Sequence, residues 1–191
     1  MVKFRESRTA KNLLTAFAAE AQASTRYRFF SQRALDDGFV QISKIFQETS
    51  DQECEHALRF FKFFNGGELE INWKFPAGVL LNTQANLLSA ADLEHYIHTE
   101  MYPGFSKIAV EEGFQRAADT LDAIIVAERQ HEKLYRELAA NIAENRAFAR
   151  NEEKKWRCLG CGYIHTGKSV PEKCPACVKH SGYFELLGEN W

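Results

Sequence analysis

No apolar run in the sequence approaches the roughly 20 residues that a membrane span requires. The longest, AIIVA (123–127) and FFKFF (60–64), are far shorter. The opening MVKFRESRTAKN lacks the apolar h-region of a signal peptide, so the expectation is a cytoplasmic protein without membrane association. Excess charge is missing as well. The chain carries 24 basic and 26 acidic residues, a net charge of −2, and its Lys and Arg are interspersed with acids instead of forming a basic stripe, which argues against nucleic-acid binding. Cysteine is scarce over most of the chain. Cys54 stands alone in a helical region, and the other four fall in the last 34 residues as two C-x-x-C pairs. In a reducing cytosol that pattern reads as metal binding and not as disulfides. What remains, 45% apolar and 26% charged residues in a chain of 191, is a soluble globular composition able to bury a sizeable core.

The first 145 residues read as four long amphipathic helices. The first is expected from Thr9 to Asp37, stopping at Gly38, and the second from Val40 to Phe64, stopped by NGG (65–67). Residues 68–82, ELEINWKFPAGVLLN, lose the 3.6-residue period and read as a long crossover. The third helix starts at Asn82 or Thr83, either of which can cap it, and runs to Glu112 with a kink expected at Pro103. The fourth covers Phe114 to Glu144. Two helical hairpins joined by one long crossover is the connectivity of ferritin-like bundles. The domain reading is therefore a ferritin-like bundle over 1–145, a polar linker over 146–155 and a small metal-knuckle unit over 156–191.

The hairpins resemble each other. A shift of 75 residues places DDGF (36–39) on EEGF (111–114), Tyr27 on Tyr102, Phe30 on Phe105, Glu53 on Glu128 and His56 on His131. Glu53 with His56, and Glu128 with His131, are E-x-x-H pairs that share one helix face. A lone pair of this kind means little, since surface helices produce them by chance. Here Glu20 lies 33 residues before Glu53 and Glu94 lies 34 before Glu128, so each hairpin offers a glutamate on its first helix and E-x-x-H on its second. Four carboxylates and two imidazoles are the inward-facing set of a di-iron or di-manganese bundle. Glu20 sits within LLTAFAAEAQA, a core-facing stripe where an unpaired carboxylate would cost several kcal/mol unless a cation balanced it. Histidine nitrogen favours iron over magnesium or calcium.

Cys158, Cys161, Cys174 and Cys177 fit C-x2-C-x12-C-x2-C, two knuckles around one tetrahedral ion. A segment below about 40 residues rarely folds without a metal or disulfides, so this ion is expected to be structural as well as redox-active. Trp156, Tyr163, Tyr183 and Phe184 are expected as its aromatic core. The spacing suits a zinc ribbon equally, and attachment to a di-iron bundle is what favours iron.

With AEAQA around Glu20, ECEHALRFFKF around Glu53 and His56, HTEMYP after Glu94, and CGYIHTG with CPAC in the tail, the chain resembles the rubrerythrins over almost its whole length. The resemblance implies that Glu53 and Glu128 bridge two irons. It implies Glu20 with His56 and Glu94 with His131 as the end ligands, and a rubredoxin-type iron on the four cysteines. Tyr27 and Tyr102, by register and position, are candidates for hydrogen bonding to the carboxylates. Cys54, about 100° round the helix from Glu53, is expected as a small buried residue. His165 and His180 are expected at the surface, and His95 at the periphery.

Two ferrous ions can deliver two electrons together, which matches reduction of hydrogen peroxide to water, and a one-electron iron site in the same chain is suited to recharging them. The functional expectation is a peroxidase of oxidative-stress defence, supplied by an NAD(P)H-linked reductase or a rubredoxin. The resemblance adds a head-to-tail homodimer that brings each tail to the other subunit's bundle. The competing readings are a ferroxidase or iron-handling protein, and a zinc-ribbon interaction module on a structural bundle. In rubrerythrins the helix carrying the Glu94 equivalent usually bears a second carboxylate three residues on, and here Ile97 stands there. The resemblance implies that this carboxylate holds one iron in the oxidised state. Without it the iron is expected to stay on His56 in both oxidation states and the diferric form to have a raised potential. The rival is that His98 substitutes.

Overall fold

The computed structural model describes residues 3–189, in which helices α1 (Arg8–Asp36) and α2 (Val40–Phe61) form one hairpin. A second hairpin is made of α3 (Thr83–Tyr96), a π-helical turn (Ile97–Met101), α4 (Tyr102–Glu111) and α5 (Gln115–Ala143). The fold is mainly helical and ferritin-like, with a small strand domain after it. Capping explains the boundaries. The Ser7 hydroxyl accepts from the Ala10 amide at 3.0 Å and Asn82 Oδ1 from the Ala85 amide at 2.9 Å, so α1 and α3 each begin on a polar cap. DDGF and EEGF end the two first helices alike. Gly38 and Gly113 adopt φ of 86° and 83°, and the Phe39 and Phe114 amides reach back to the Ala34 and Ala109 carbonyls at 2.8 Å.

Helix α2 ends at Phe61, short of Phe64, because the Phe63 and Phe64 amides turn back to the carbonyls of Phe60 and Phe61. The helix widens into the π turn near the kink expected at Pro103. The π turn lies over the residues before it, where a proline can neither donate to the preceding turn nor clear its carbonyl, and Pro103 itself sits inside the first turn of α4.

The π turn also accounts for the one-residue discrepancy between the hairpins. Before it, Thr9 matches Thr83, Leu13 matches Leu87 and Glu20 matches Glu94 at an offset of 74. After it, Tyr27 matches Tyr102 and Asp37 matches Glu112 at 75. The second hairpin carries one extra residue between its glutamate and its tyrosine, and the wider turn absorbs it.

The hairpins clasp each other through matched contacts. Glu112, at the end of α4, accepts from the Thr9 amide at 2.8 Å, the Thr9 hydroxyl at 2.6 Å and the Arg8 amide at 3.1 Å. Asp37, at the end of α1, accepts from the Thr83 amide at 2.9 Å and its hydroxyl at 2.7 Å. Burial works against the Glu112 charge, but the Thr9 and Arg8 donors outweigh it and bring the pKa from 4.5 to about 2. Its contribution is therefore complete above the ordinary carboxylate range and is lost as the pH falls through about 2. Glu112→Ala should cost about 1–2 kcal/mol at neutral pH, the scale of a lost helix cap. Urea unfolding of both proteins, at neutral pH and again below about pH 2, checks this. A difference that persists unchanged in acid would remove the charged cap as its cause.

The tail is a three-stranded antiparallel sheet, order β2-β1-β3, with β1 (Ala149–Cys158) between β2 (Ile164–Ser169) and β3 (Phe184–Leu186). Residues 149–155, expected as part of a linker, begin β1. Their pairing is what the period could not show: after Ala149↔Ser169 the register breaks, resuming at Lys154↔Gly167. Trp156 and Phe184 are buried, with Tyr163 and Tyr183 packed against them. The tail rests on the α1–α2 turn. Phe148 stacks on Phe39 with centroids 5.6 Å apart, and Gly182 meets Gly38 so closely that a Cβ at 182 would overlap the Gly38 carbonyl oxygen.

Candidate metal centres

The bundle has two apolar clusters with a polar layer between them. Along α1, Leu13 and Ala16 belong to one cluster and Ala23, Tyr27 and Phe30 to the other, with Glu20 between. Glu53 lies likewise between Phe46 and Phe60, Glu94 between Ala91 and Ile97, and Glu128 between Ile124 and Tyr135. All four carboxylates are fully buried. Donor atoms of Glu20, Glu53, His56 and Glu128 lie within 4.8 Å of one another, as do those of Glu53, Glu94, Glu128 and His131. The two groups share Glu53 and Glu128, an arrangement that suits two adjacent cations held by two common carboxylates.

The hydrogen bonding supports that fit. His56 Nδ1 lies 2.9 Å from Glu53 Oε2 and 2.8 Å from Glu128 Oε1; His131 Nδ1 lies 2.9 Å from Glu128 Oε2 and 3.0 Å from Glu53 Oε1. Each ring nitrogen carries one proton at most and faces two oxygens, so it satisfies one. Glu20 Oε2, Glu53 Oε1, Glu94 Oε2 and Glu128 Oε1 are left without a hydrogen-bond partner, the His56 approach to Glu128 Oε1 and the His131 approach to Glu53 Oε1 being ion-pair contacts only. Burial, followed by the Glu128 and Glu53 charges, holds the Glu20 and Glu94 pKa well above the usual range. Burial opposes charge on His56 and His131 too, yet the adjacent Glu128 and Glu53 carboxylates carry them up to about 11 and about 9. Without metal, protons supply the positive charge that four buried carboxylates require. Divalent cations would replace them.

Tyr27 donates to Glu94 and Tyr102 to Glu20, each crossing from its own hairpin to the other. Gln52, which no sequence signal marked, places Oε1 2.9 Å from His131 Nε2 and so turns Nδ1 toward the carboxylates. Ala127 occupies the matching place in the other hairpin, and His56 has no such holder among the described residues. Both histidines border a groove between α2 and α5 of about 410 Å³, lined also by Thr49, Gln52, Ala127 and Leu134. Ile97 is fully buried with Leu13 and Phe60 and offers no donor atom. His98 turns away from both carboxylate groups toward Glu132, 2.6 Å from Nε2. Cys54 is exposed, contrary to expectation, since the inward face of α2 is taken by Glu53, Ala57 and Phe60.

In the tail, Cys158 and Cys177 Sγ are 3.7 Å apart, as are Cys161 and Cys174, and all four sulfurs lie within 4.8 Å of one another. A tetrahedral ion with metal–sulfur bonds of about 2.3 Å needs sulfur–sulfur edges of about 3.8 Å. The Gly160 and Cys161 amides point at Cys158 Sγ, and those of Ala176 and Cys177 at Cys174 Sγ, so each knuckle aims backbone donors at a thiolate. Each closes with a bond from the residue after its second cysteine, Gly162 to Cys158 O at 2.8 Å and Val178 to Cys174 O at 2.9 Å. Both residues have positive φ, 79° and 62°, which glycine adopts freely and the β-branched Val178 only under strain.

Two buried carboxylate–histidine groups in a ferritin-like bundle, followed by a four-thiolate knuckle, define a metal-binding protein of the di-iron carboxylate class with a rubredoxin-like appendage. The rubrerythrin family model matches residues 11–139, and the model for the rubrerythrin rubredoxin-like domain matches 156–185. Rubrerythrin of Nitratidesulfovibrio vulgaris is 54% identical over 191 residues, covering all of both chains. Rubrerythrin-1 of Clostridium acetobutylicum is 45% identical over 195, also with full coverage. A structure of nigerythrin in a mixed-valent state superposes with a TM-score of 0.64 at 29% identity, covering 98% of this chain and 92% of that one. The chain belongs to the rubrerythrin family.

Proposed function

We propose that the protein is a peroxidase of oxidative-stress defence that reduces hydrogen peroxide to water. The observation that carries this reading is the pair of ligand groups sharing Glu53 and Glu128 in one chain with a four-thiolate site. Two irons held by these residues would supply two electrons for cleavage of the O–O bond, and an iron held by Cys158, Cys161, Cys174 and Cys177 would supply single electrons to restore them. Glu53 and Glu128 are the shared ligands, with Glu20 and His56 at one end and Glu94 and His131 at the other. Tyr27 and Tyr102 orient the two end carboxylates, Gln52 orients His131, and the apolar clusters on either side exclude water. The α2–α5 groove at His56 offers a small oxidant its way in.

A homodimer is part of the proposal. The tail rests at Gly38, 18 residues along α1 from Glu20, or about 27 Å at 1.5 Å per residue, a long path to its own bundle's carboxylates. Val79, Leu80 and Leu81 of the crossover are at least half exposed, with Phe29 beside Val79 and Leu80, and that apolar strip suits a second copy. An NAD(P)H-linked reductase or rubredoxin in the cytoplasm completes the system.

The test is an anaerobic visible spectrum of the iron-loaded protein. Thiolate-to-iron bands should bleach with reductant and return with stoichiometric peroxide. Bands that return with dioxygen but not with peroxide favour the ferroxidase reading; a colourless tail with four thiolates bound favours zinc.

Ile97 yields a second expectation. With no donor at 97 and His98 held by Glu132, His56 should remain a metal ligand in the oxidised protein as in the reduced one. Crystal structures of the loaded protein in both states decide this, and metal bound by His98 or Glu100 with His56 released would sink it.

A further inference from the structure

One cluster of ligand-type side chains lies outside both centres. His95 near the end of α3, His98 in the π turn and Glu132 of α5 place two ring nitrogens and a carboxylate oxygen within 4.8 Å of one another. His95 Nδ1 is 3.1 and 3.2 Å from the two Glu132 oxygens, and His98 Nε2 is 2.6 Å from Oε2. The rings meet at 81° with centroids 5.4 Å apart, so they converge on the carboxylate without stacking. Arg136 holds Glu132 Oε1 at 2.7 Å and reaches Asp92 at 3.1 Å, which fixes the carboxylate between the two rings.

We propose that His95, His98 and Glu132 bind a single divalent first-row transition ion, separate from the dinuclear centre and from the knuckle. Two imidazoles and one carboxylate are the donor set of zinc or ferrous sites with open positions, and imidazole disfavours magnesium and calcium. The side chains of His98 and Glu132 are 9% and 16% exposed, whereas that of His95 is 54% exposed, which gives the ion a solvent side for water ligands. Arg136 keeps Oε1, so Glu132 binds through Oε2 alone. Glu94 and His131, the sequence neighbours of His95 and Glu132, belong to the dinuclear group, which puts the new site on another face of the same helix pair. It has no copy in the first hairpin, where Ala57 matches Glu132.

The probe is zinc, titrated calorimetrically into full-length protein whose dinuclear and thiolate sites are already filled with iron. Wild type should take up one further equivalent, with the iron content and thiolate-to-iron bands unchanged. His95→Ala, at an exposed position that leaves folding intact, and His98→Ala should each weaken that uptake by at least about tenfold, the least that removing even an outer partner of a metal ligand costs. The proposal is overturned by the absence of a saturable equivalent, by an equivalent that His95→Ala leaves unchanged, or by zinc uptake matched by iron release.

Discussion

Glu53→Ala or Glu128→Ala should abolish the single turnover of peroxide by pre-reduced protein and lower the dinuclear site's capacity from two metal ions to one or none. Each of these carboxylates is common to both ligand groups, so a single substitution removes a donor from two ions at once. Loss of even an outer partner typically costs about 10–100-fold in metal affinity, and loss of a shared ligand exceeds that. Folding should suffer as well. Glu53 Oε2 and Glu128 Oε2 each pair with a histidine Nδ1 at 2.9 Å, so alanine leaves a buried imidazole without its partner, and the metal-free variant should unfold at lower denaturant concentration than metal-free wild type. Iron analysis, a stopped-flow trace with one equivalent of peroxide and a denaturant curve make the measurement. Full loading with unchanged oxidation would show that the residue does not bridge.

Replacing Cys158, Cys161, Cys174 or Cys177 with alanine should give the complementary result: steady-state peroxide reduction is lost while a single turnover survives. The tail's apolar core consists of little beyond Trp156 and Phe184 with a few half-buried neighbours, which is too little to hold a segment below about 40 residues without an ion. Three thiolates and a gap no longer close the tetrahedron that the two 3.7 Å sulfur pairs frame. The helical far-UV signal should be retained, because the two apolar clusters that hold α1 to α5 together include no residue of the tail, while fluorescence from Trp156 should change as its environment opens. Steady-state turnover persisting with the complete donor system would remove the tail from the electron path.

Much of this was legible in the sequence because it rests on local chemistry. Glycines at positive φ ended α1 and α4, Asn82 began α3, and the E-x-x-H spacing placed ligand-type residues on one face. What escaped depends on partners distant in the chain. A single offset of 75 aligned everything after the π turn and missed Thr9 with Thr83 and Leu13 with Leu87, since an extra residue inside a helix leaves no mark in composition. Gln52 touches His131 across 79 positions, and charged residues 152–155 join a strand because β2 folds back on it. Tyr27 and Tyr102 were expected near the carboxylates, but the sequence could not say that each would serve the opposite hairpin's glutamate.

The meeting of Gly182 with Gly38 works as a mechanical stop. Two backbones touch there with no side chain between them, so the seat of the tail has the tolerance of a machined face: any added atom acts as a shim. A shim at a pivot is magnified along the lever it tilts, and here the lever runs from the α1–α2 turn through the tail to the knuckles. The aim of the thiolate site is thus set away from the thiolates themselves, by Gly182, whose contribution is the absence of a methyl group.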